Sequence, residues 1–346
     1  MADYDYDLIA IGGGTAGLTV TRLVAACGKK VAMIEADRPG GDCLWTGCVP
    51  TKALLHSAKM LWDAKHAARF GVVADDVRLD FQAARRHLLA AQDAAGRIDS
   101  PEAVAENGVD LLTGRARFTD DHTIEIDGRK LTAAKFAIAT GSEPSVPPIP
   151  GLAEAAPDTN VEALFGEEFP KSLCIIGGGP IGFEFAQMMN RFGVTITMVE
   201  ALPRVLAGGE PAASKLVADV LRSEGLMLHE KAPVTRVETS GNVKLVCFER
   251  DGVEQAVGCE SILVATGRSP RVDGLGLGLE AAYVDYSRKG IPVDKKLRTS
   301  REHIYAIGDA NGGPQSPTLP RTKRARPLAA STGPACLPGT TASLPG

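Results

Sequence analysis

Two glycine-rich turns, each set between an apolar strand and a helix, recur in this chain at a constant offset and constrain its fold more than any other feature. Residues 6–36 read as strand, tight turn, helix, strand. Tyr6-Asp-Leu-Ile-Ala-Ile11 is almost continuously apolar, the pattern of a strand buried on both faces of a parallel sheet. Gly12-Gly-Gly14-Thr-Ala-Gly17 follows it and opens a helix that ends near Gly28. Val31-Ala-Met-Ile34 is the returning strand, with Glu35 at its C-terminal end. Gly12, Gly14, Gly17, Gly28 and Glu35 map without a gap onto Gly177, Gly179, Gly182, Gly193 and Glu200, 165 residues further on (12 to 177, 35 to 200). In this strand–turn–helix setting the glycines form a dinucleotide fingerprint. One makes the turn, one lets a pyrophosphate approach, and one lets the helix pack on the strand. The helix N-terminus then favours the pyrophosphate charge, and the terminal Glu can accept ribose hydroxyls. The expected fold class is α/β with two Rossmann-like units, hence two nucleotides in one chain.

An Ala-Thr-Gly element also occurs twice, in Phe136-Ala-Ile-Ala-Thr140-Gly141-Ser142 and Ile262-Leu-Val-Ala-Thr266-Gly267-Arg268. Each places an apolar strand before a small-residue turn. Alone that is a weak signal, but as the closing segment of each unit it fits.

The chemistry concentrates in Gly40-Gly-Asp-Cys43-Leu-Trp-Thr-Gly-Cys48-Val-Pro-Thr-Lys52. Two cysteines five residues apart precede a helix, whose N-terminus favours a thiolate. In a chain read as cytoplasmic, such a pair is redox-active or metal-binding rather than a structural staple. The bland alternative is two buried cysteines that happen to be close. The seven cysteines form no Cys-x-x-Cys spacing, so zinc is disfavoured and no metal is expected. A net charge of −4 with 23% charged residues forces no basic face, which argues against nucleic acid as the main partner. The acidic start Met1-Ala-Asp-Tyr-Asp-Tyr-Asp is not a signal peptide, and no apolar run reaches a membrane span.

With these motifs in hand, the chain resembles the FAD-dependent pyridine nucleotide-disulfide oxidoreductases, the family of dihydrolipoamide dehydrogenase, glutathione reductase and mercuric reductase. The likeness runs over about residues 4–313 and includes Ile304-Tyr-Ala-Ile-Gly308-Asp309. It implies an FAD site at Gly12, Gly14, Gly17, Glu35, Lys52, Ala116, Thr140, Gly141 and Asp309. It implies a nicotinamide-nucleotide site at Gly177, Gly179, Gly182, Glu200, Val234 and Gly267. Cys48 would face the flavin and Cys43 would exchange with substrate. Lys52 would sit near the flavin ring, paired with Glu184, where a fixed cation stabilises developing negative charge. Glu200 would repel a 2′-phosphate, favouring NADH over NADPH, with Arg204 close by. Pro180 stands where the family often places a lid tyrosine. The implied activity is electron transfer between nicotinamide, flavin and a Cys43–Cys48 disulfide, most like dihydrolipoyl dehydrogenase. Its partner would be a small-molecule disulfide or a protein-bound lipoyl group, with no membrane involved.

The implied layout is an FAD domain, 1–150 and 273–313, with an NAD domain, 151–272, inserted after Pro147-Pro-Ile-Pro150-Gly151. Helices at about 52–66 and 80–98 are expected on the FAD side, without chemistry of their own. Residues 312–346 hold seven prolines, five glycines and no acidic residue, a composition expected to be disordered from 314 onward. The family continues there with a dimerisation domain and a His-Glu pair that nothing in this stretch matches, as though the reading frame had shifted. The alternative reading is therefore a truncated flavin- and NAD-binding fragment with little disulfide turnover, or a mercuric-reductase-like enzyme. Arg321-Thr-Lys-Arg-Ala-Arg326 is read as incidental rather than as a nucleic-acid tail.

Overall fold

The computed structural model describes residues 3–272 and 274–313; the tail expected to be disordered lies outside them. The chain divides into two compact units. One comprises Met1–Cys43, Ala95–Glu143 and Ser269–Gly346, the other Leu44–Ala94 and Pro144–Arg268.

The first unit is built on a five-stranded, all-parallel sheet in the order Ile304–Ala306, Phe136–Ile138, Leu8–Ile11, Val31–Glu35, Val109–Thr113. Its three central strands are apolar up to Glu35 because both faces are covered, while the edge strand Val109–Thr113 carries the exposed Asp110 and Thr113. Ile9, Ile11, Ile34 and Phe136 point into one cluster, where Phe118, Ile124 and Leu131 of a three-stranded antiparallel sheet meet them. Leu8, Ala10, Val31 and Met33 point into the other, filled by Leu18, Val20 and Val24 from the helix Thr15–Ala25. In the central strands this alternation of neighbouring residues between two cores leaves no position for a polar side chain before the strand end.

The second unit repeats the design. Met227–His229, Thr195–Val199, Ser172–Ile176 and Ser261–Val264 form a four-stranded parallel sheet. Leu173 and Ile175 pack on Phe185, Met188 and Met189 of the helix Pro180–Arg191. Cys174 and Ile176 face the other way, toward Val237, Val246 and Phe248 of the antiparallel sheet Val234–Ser240, Val243–Arg250, Val253–Cys259. The α/β class with two Rossmann-like units is thus the observed one.

One expectation is corrected. The helices Cys48–Lys65 and Phe81–Gly96 do not pack on the first unit's core; Ala53, Leu54, Ala58, Ala84 and Leu88 join the cluster around Phe185. Their apolar stripes have the 3.6-residue period of any surface helix, which says that a face is buried but not against what. Each large side chain fully buried there contributes about 1.5–3 kcal/mol. Among the described residues, no helix is long and apolar enough to cross a membrane.

Candidate active site

The two glycine turns have the same geometry. Gly12 has φ +109°, and a Cβ on it would lie 2.4 Å from the Ala139 carbonyl oxygen; Gly177 has φ +108° and would meet Ala265 O at 2.5 Å. A Cβ on Gly17 would lie 1.8 Å from Gly12 O, and one on Gly182 would lie 2.1 Å from Gly177 O. Only glycine lets each helix sit this close to its strand. The helices open at Gly14 and Gly179, in extended conformation and without a side-chain cap. Their first amides are left for an anion.

The two strand-end carboxylates also match. Glu35 Oε2 accepts from Gly13 N at 2.6 Å and Oε1 from Asp37 N at 3.0 Å. Glu200 Oε2 accepts from Gly178 N at 2.5 Å and Oε1 from Leu202 N at 2.7 Å. Each glutamate therefore fixes the central amide of its own glycine turn, which sequence reasoning missed, and keeps further lone pairs for a ribose. Arg204 Nη2 donates to Ala207 O at 2.7 Å and Gly209 O at 3.1 Å, so its guanidinium is committed to its own loop.

The copies differ at their Ala-Thr-Gly elements. Thr266 Oγ1 donates to Ser145 O at 2.8 Å, whereas Thr140 Oγ1 is buried with no hydrogen-bond partner. Thr140 N lies 3.2 Å from where a Gly12 Cβ would be, which puts the lone hydroxyl beside the first turn. Near the same helix start, a Cβ on Gly308 would lie 3.0 Å from Ala16 Cβ. Asp309 follows it and accepts from Ser142 Oγ at 2.8 Å. A Cβ on Gly41 would lie 2.7 Å from Gly14 Cα. Uncapped amides, an orphaned hydroxyl and a wall too close for any side chain fit the phosphates of a dinucleotide such as FAD. Ala116, 5% exposed, is packed in the first unit's core, and Val234 is half-buried at the start of its strand in the second. Gly141 and Gly267 take φ +74° and +127° at the turns after their strands.

Cys43 lies in the short helix Gly41–Trp45, and Cys48 is the first residue of the 18-residue helix Cys48–Lys65; both are partly buried. The main chain between them is held from two sides. Gln92 Nε2 donates to the carbonyls of Leu44 and Trp45 at 3.1 and 2.7 Å, and Asn160 Nδ2 to that of Thr46 at 2.7 Å. Both are buried polar residues, and neither belongs to a motif. Gln92 gives its helix, expected to carry no chemistry of its own, a positioning contact with the cysteine segment. One turn on from Cys48, Lys52 Nζ donates to both carboxylate oxygens of Glu184, at 2.6 and 2.8 Å. Glu184 lies in the first turns of the helix that starts at Pro180.

A further cluster brings donor atoms of Asp121, His122 and His303 within 4.8 Å of one another. It is poorly shaped for an ion. The two imidazoles stack with centroids 4.0 Å apart and planes 11° from parallel, so their in-plane lone pairs do not converge.

Two glycine turns shaped for dinucleotides, and a close cysteine pair at a helix start with a lysine one turn beyond, are features shared with a family of oxidoreductases. The chain belongs to the pyridine nucleotide-disulphide oxidoreductase family, whose model matches residues 6–325. Members are FAD-dependent and take NAD(P)H as electron donor. It is 35% identical over 319 residues to a mercuric reductase of Staphylococcus aureus, covering 90% of this chain and 57% of that protein. It is 34% identical over 331 residues to a dihydrolipoyl dehydrogenase of Bacillus subtilis, covering 90% and 68%. Among solved structures it is similar to the HOCl-induced flavoprotein disulfide reductase RclA of Escherichia coli, solved as a Cu(II) complex. The TM-score is 0.77 at 28% identity, covering 94% of this chain and 70% of that one. The chain thus spans about half to two thirds of the length of its relatives.

Proposed function

We propose that this protein passes electrons from NADH through FAD to a Cys43–Cys48 disulfide and on to a disulfide substrate, most like dihydrolipoyl dehydrogenase. The observation that carries this reading is the cysteine pair at the start of the helix Cys48–Lys65, one turn from the Lys52–Glu184 ion pair. FAD, held by the first glycine turn, would supply a two-electron carrier between nicotinamide and thiols. Glu184 aims Lys52 through two hydrogen bonds, and Lys52 offers its cation where negative charge develops. The amides at the start of the cysteine helix favour the Cys48 thiolate. Cys43 is the exchange thiol: its thiolate attacks the substrate disulfide and expels one thiol. Cys48 then attacks the Cys43 sulfur, which releases the second thiol and restores the protein disulfide. Gln92 and Asn160 hold the carbonyls between the two sulfurs and so limit how far they drift during that exchange.

NADH is favoured over NADPH because Glu200 stands, 8% exposed, where a 2′-phosphate would come, while Arg204 is tied to its own loop. In this reading residues 1–150 and 273–313 serve FAD and residues 151–272 serve NAD. The substrate is a small-molecule or protein-bound lipoyl disulfide, handled in the cytoplasm. NADH-dependent reduction of lipoamide by the FAD-loaded protein tests the proposal, with NADPH, glutathione disulfide and Hg(II) run in parallel. Turnover should need both cysteines and prefer NADH. Undiminished disulfide reduction by Cys48→Ser would sink the dithiol step, and faster turnover with NADPH would sink the nucleotide assignment.

A further inference from the structure

The loop 201–210 leaves the strand Thr195–Val199 after Glu200 and folds over the second glycine turn. Leu206 N donates to Gly178 O at 2.8 Å, while Glu200 takes the Gly178 amide, so the central residue of the turn is held at both main-chain groups. Val205 is 0% exposed and is wedged against the same residue: a Cβ on Gly178 would lie 2.7 Å from Val205 Cγ1. The first copy closes differently. There Gly40 N reaches Gly13 O at 2.9 Å, from a residue without a side chain. The valine wedge therefore belongs to the second turn and not to the shared design.

The wedge is braced from outside the loop. Val205 O accepts from Ser214 Oγ at 2.5 Å, and Val205 N donates to Glu230 Oε1 at 2.9 Å. Ser214 is buried on the helix Pro211–Ser223, and Arg222 of the same helix donates to Glu230 Oε2 at 2.8 Å. One helix thus secures both main-chain groups of Val205, one directly and one through Glu230. The residues on either side are shaped by that grip. Leu206 has φ +49°, a left-handed backbone that a non-glycine residue keeps only where its surroundings impose it. Arg204 is folded back onto the Ala207 and Gly209 carbonyls. A guanidinium is a fork of donors matched to phosphate, and Arg204 stands only four residues beyond Glu200 (200 to 204). What keeps it from acting as a phosphate ligand is the shape of its own loop.

We infer that Ser214 and Glu230 are positioning residues for nucleotide choice: by pinning Val205 on Gly178 they keep Arg204 turned away from a 2′-phosphate, and so maintain the preference for NAD over NADP. This role rests on the reading of the second glycine turn as the nicotinamide-nucleotide site. Removing either side chain leaves a buried main-chain group of Val205 without its partner. Leu206 then relaxes from its left-handed conformation, and the carbonyls that occupy Arg204 move apart. The freed guanidinium meets a 2′-phosphate when one is offered, whereas NAD, which has none, gains nothing from it.

Calorimetric titration of the full-length, FAD-loaded protein with NAD and, separately, with NADP reads the ratio of the two affinities. Ser214→Ala and Glu230→Ala should each narrow the wild-type ratio about tenfold, the scale of one hydrogen bond to a charged group. Glu230→Gln keeps an acceptor for Val205 N and should hold the ratio within about twofold of wild type. Adding Arg204→Ala to Ser214→Ala should abolish the gain in NADP affinity. Equal loss of affinity for both nucleotides in Ser214→Ala and Glu230→Ala would show that the brace serves the fold alone and would overturn the inference. So would a gain for NADP that survives the removal of Arg204. Tighter binding of NADP than of NAD by the wild type is a separate failure, that of the nucleotide assignment, and the change in ratio between variants still tests the brace.

Discussion

Replacing Gly182 with alanine isolates the role of the second glycine turn. The added Cβ would lie 2.1 Å from Gly177 O and 3.3 Å from Ala265 Cβ. Gly182 does not have a left-handed φ, so the penalty is steric and comes from helix and strand being too close. Relief requires the helix start to withdraw by about 1 Å to reach an ordinary carbon–oxygen contact. Overpacking of this kind costs about 1–3 kcal/mol. If that shift is relieved when the turn opens away from the ligand, NAD affinity falls about 5- to 150-fold at about 1.4 kcal/mol per decade. Calorimetric titration of the FAD-loaded protein with NAD reads the loss, while flavin absorbance per protein reports FAD retention. Gly17→Ala, with its Cβ 1.8 Å from Gly12 O, should do the reverse, weakening FAD retention and sparing NAD. Wild-type NAD affinity in Gly182→Ala, or flavin loss from it, would refute the assignment of the two turns.

Lys52→Met should lower NADH-dependent disulfide turnover about 100-fold and barely move the thermal midpoint. Lys52 is 56% exposed, and an ion pair that open to water contributes under about 1 kcal/mol to folding; a large loss of stability with intact turnover would reverse that account. Gln92→Leu removes two hydrogen bonds from the main chain between the cysteines and should slow thiol exchange several-fold with both nucleotides still bound, which stopped-flow reduction can read. Thr140→Val deletes a buried hydroxyl that has no partner, so it should leave the flavin-free protein as stable or gain it about 1 kcal/mol. The same change should weaken FAD retention, and equal FAD affinity would show that the hydroxyl faces no ligand. His229 Nδ1 is likewise buried without a partner, and burial, with Arg250 adding to it, lowers its pKa. An unfolded histidine titrates near about 6.5, so as pH falls the unfolded chain takes up the proton first. The contribution is complete above that value and is lost as pH drops through it toward the lower folded value. Urea midpoints should therefore fall between about pH 7.5 and 5.5, and His229→Phe, beside Phe248, should shrink that slope.

Much of this protein is written locally. The five positions shared by the two glycine units, the apolar strands before them and the carboxylate after each return strand are legible because each follows from short-range rules. A strand buried on both faces must be apolar throughout, and a helix pressed to a strand must carry glycine. The cysteine spacing and Lys52 are legible for the same reason, lying within one turn or loop of each other. Tertiary structure decided the rest. Nothing in the sequence joins Gln92 or Asn160 to the carbonyls of residues 44–46, since those bonds depend on where two helices dock. The apolar stripes of Cys48–Lys65 and Phe81–Gly96 required a core without naming the one around Phe185. Thr140 and Thr266 occupy equivalent positions in their motifs, yet only packing left one hydroxyl bonded and the other bare. Cys174 and Cys259 are single residues on strands of different sheets. They share one core because alternation turned both toward it and because Glu260 bonds the two sheets together at that point.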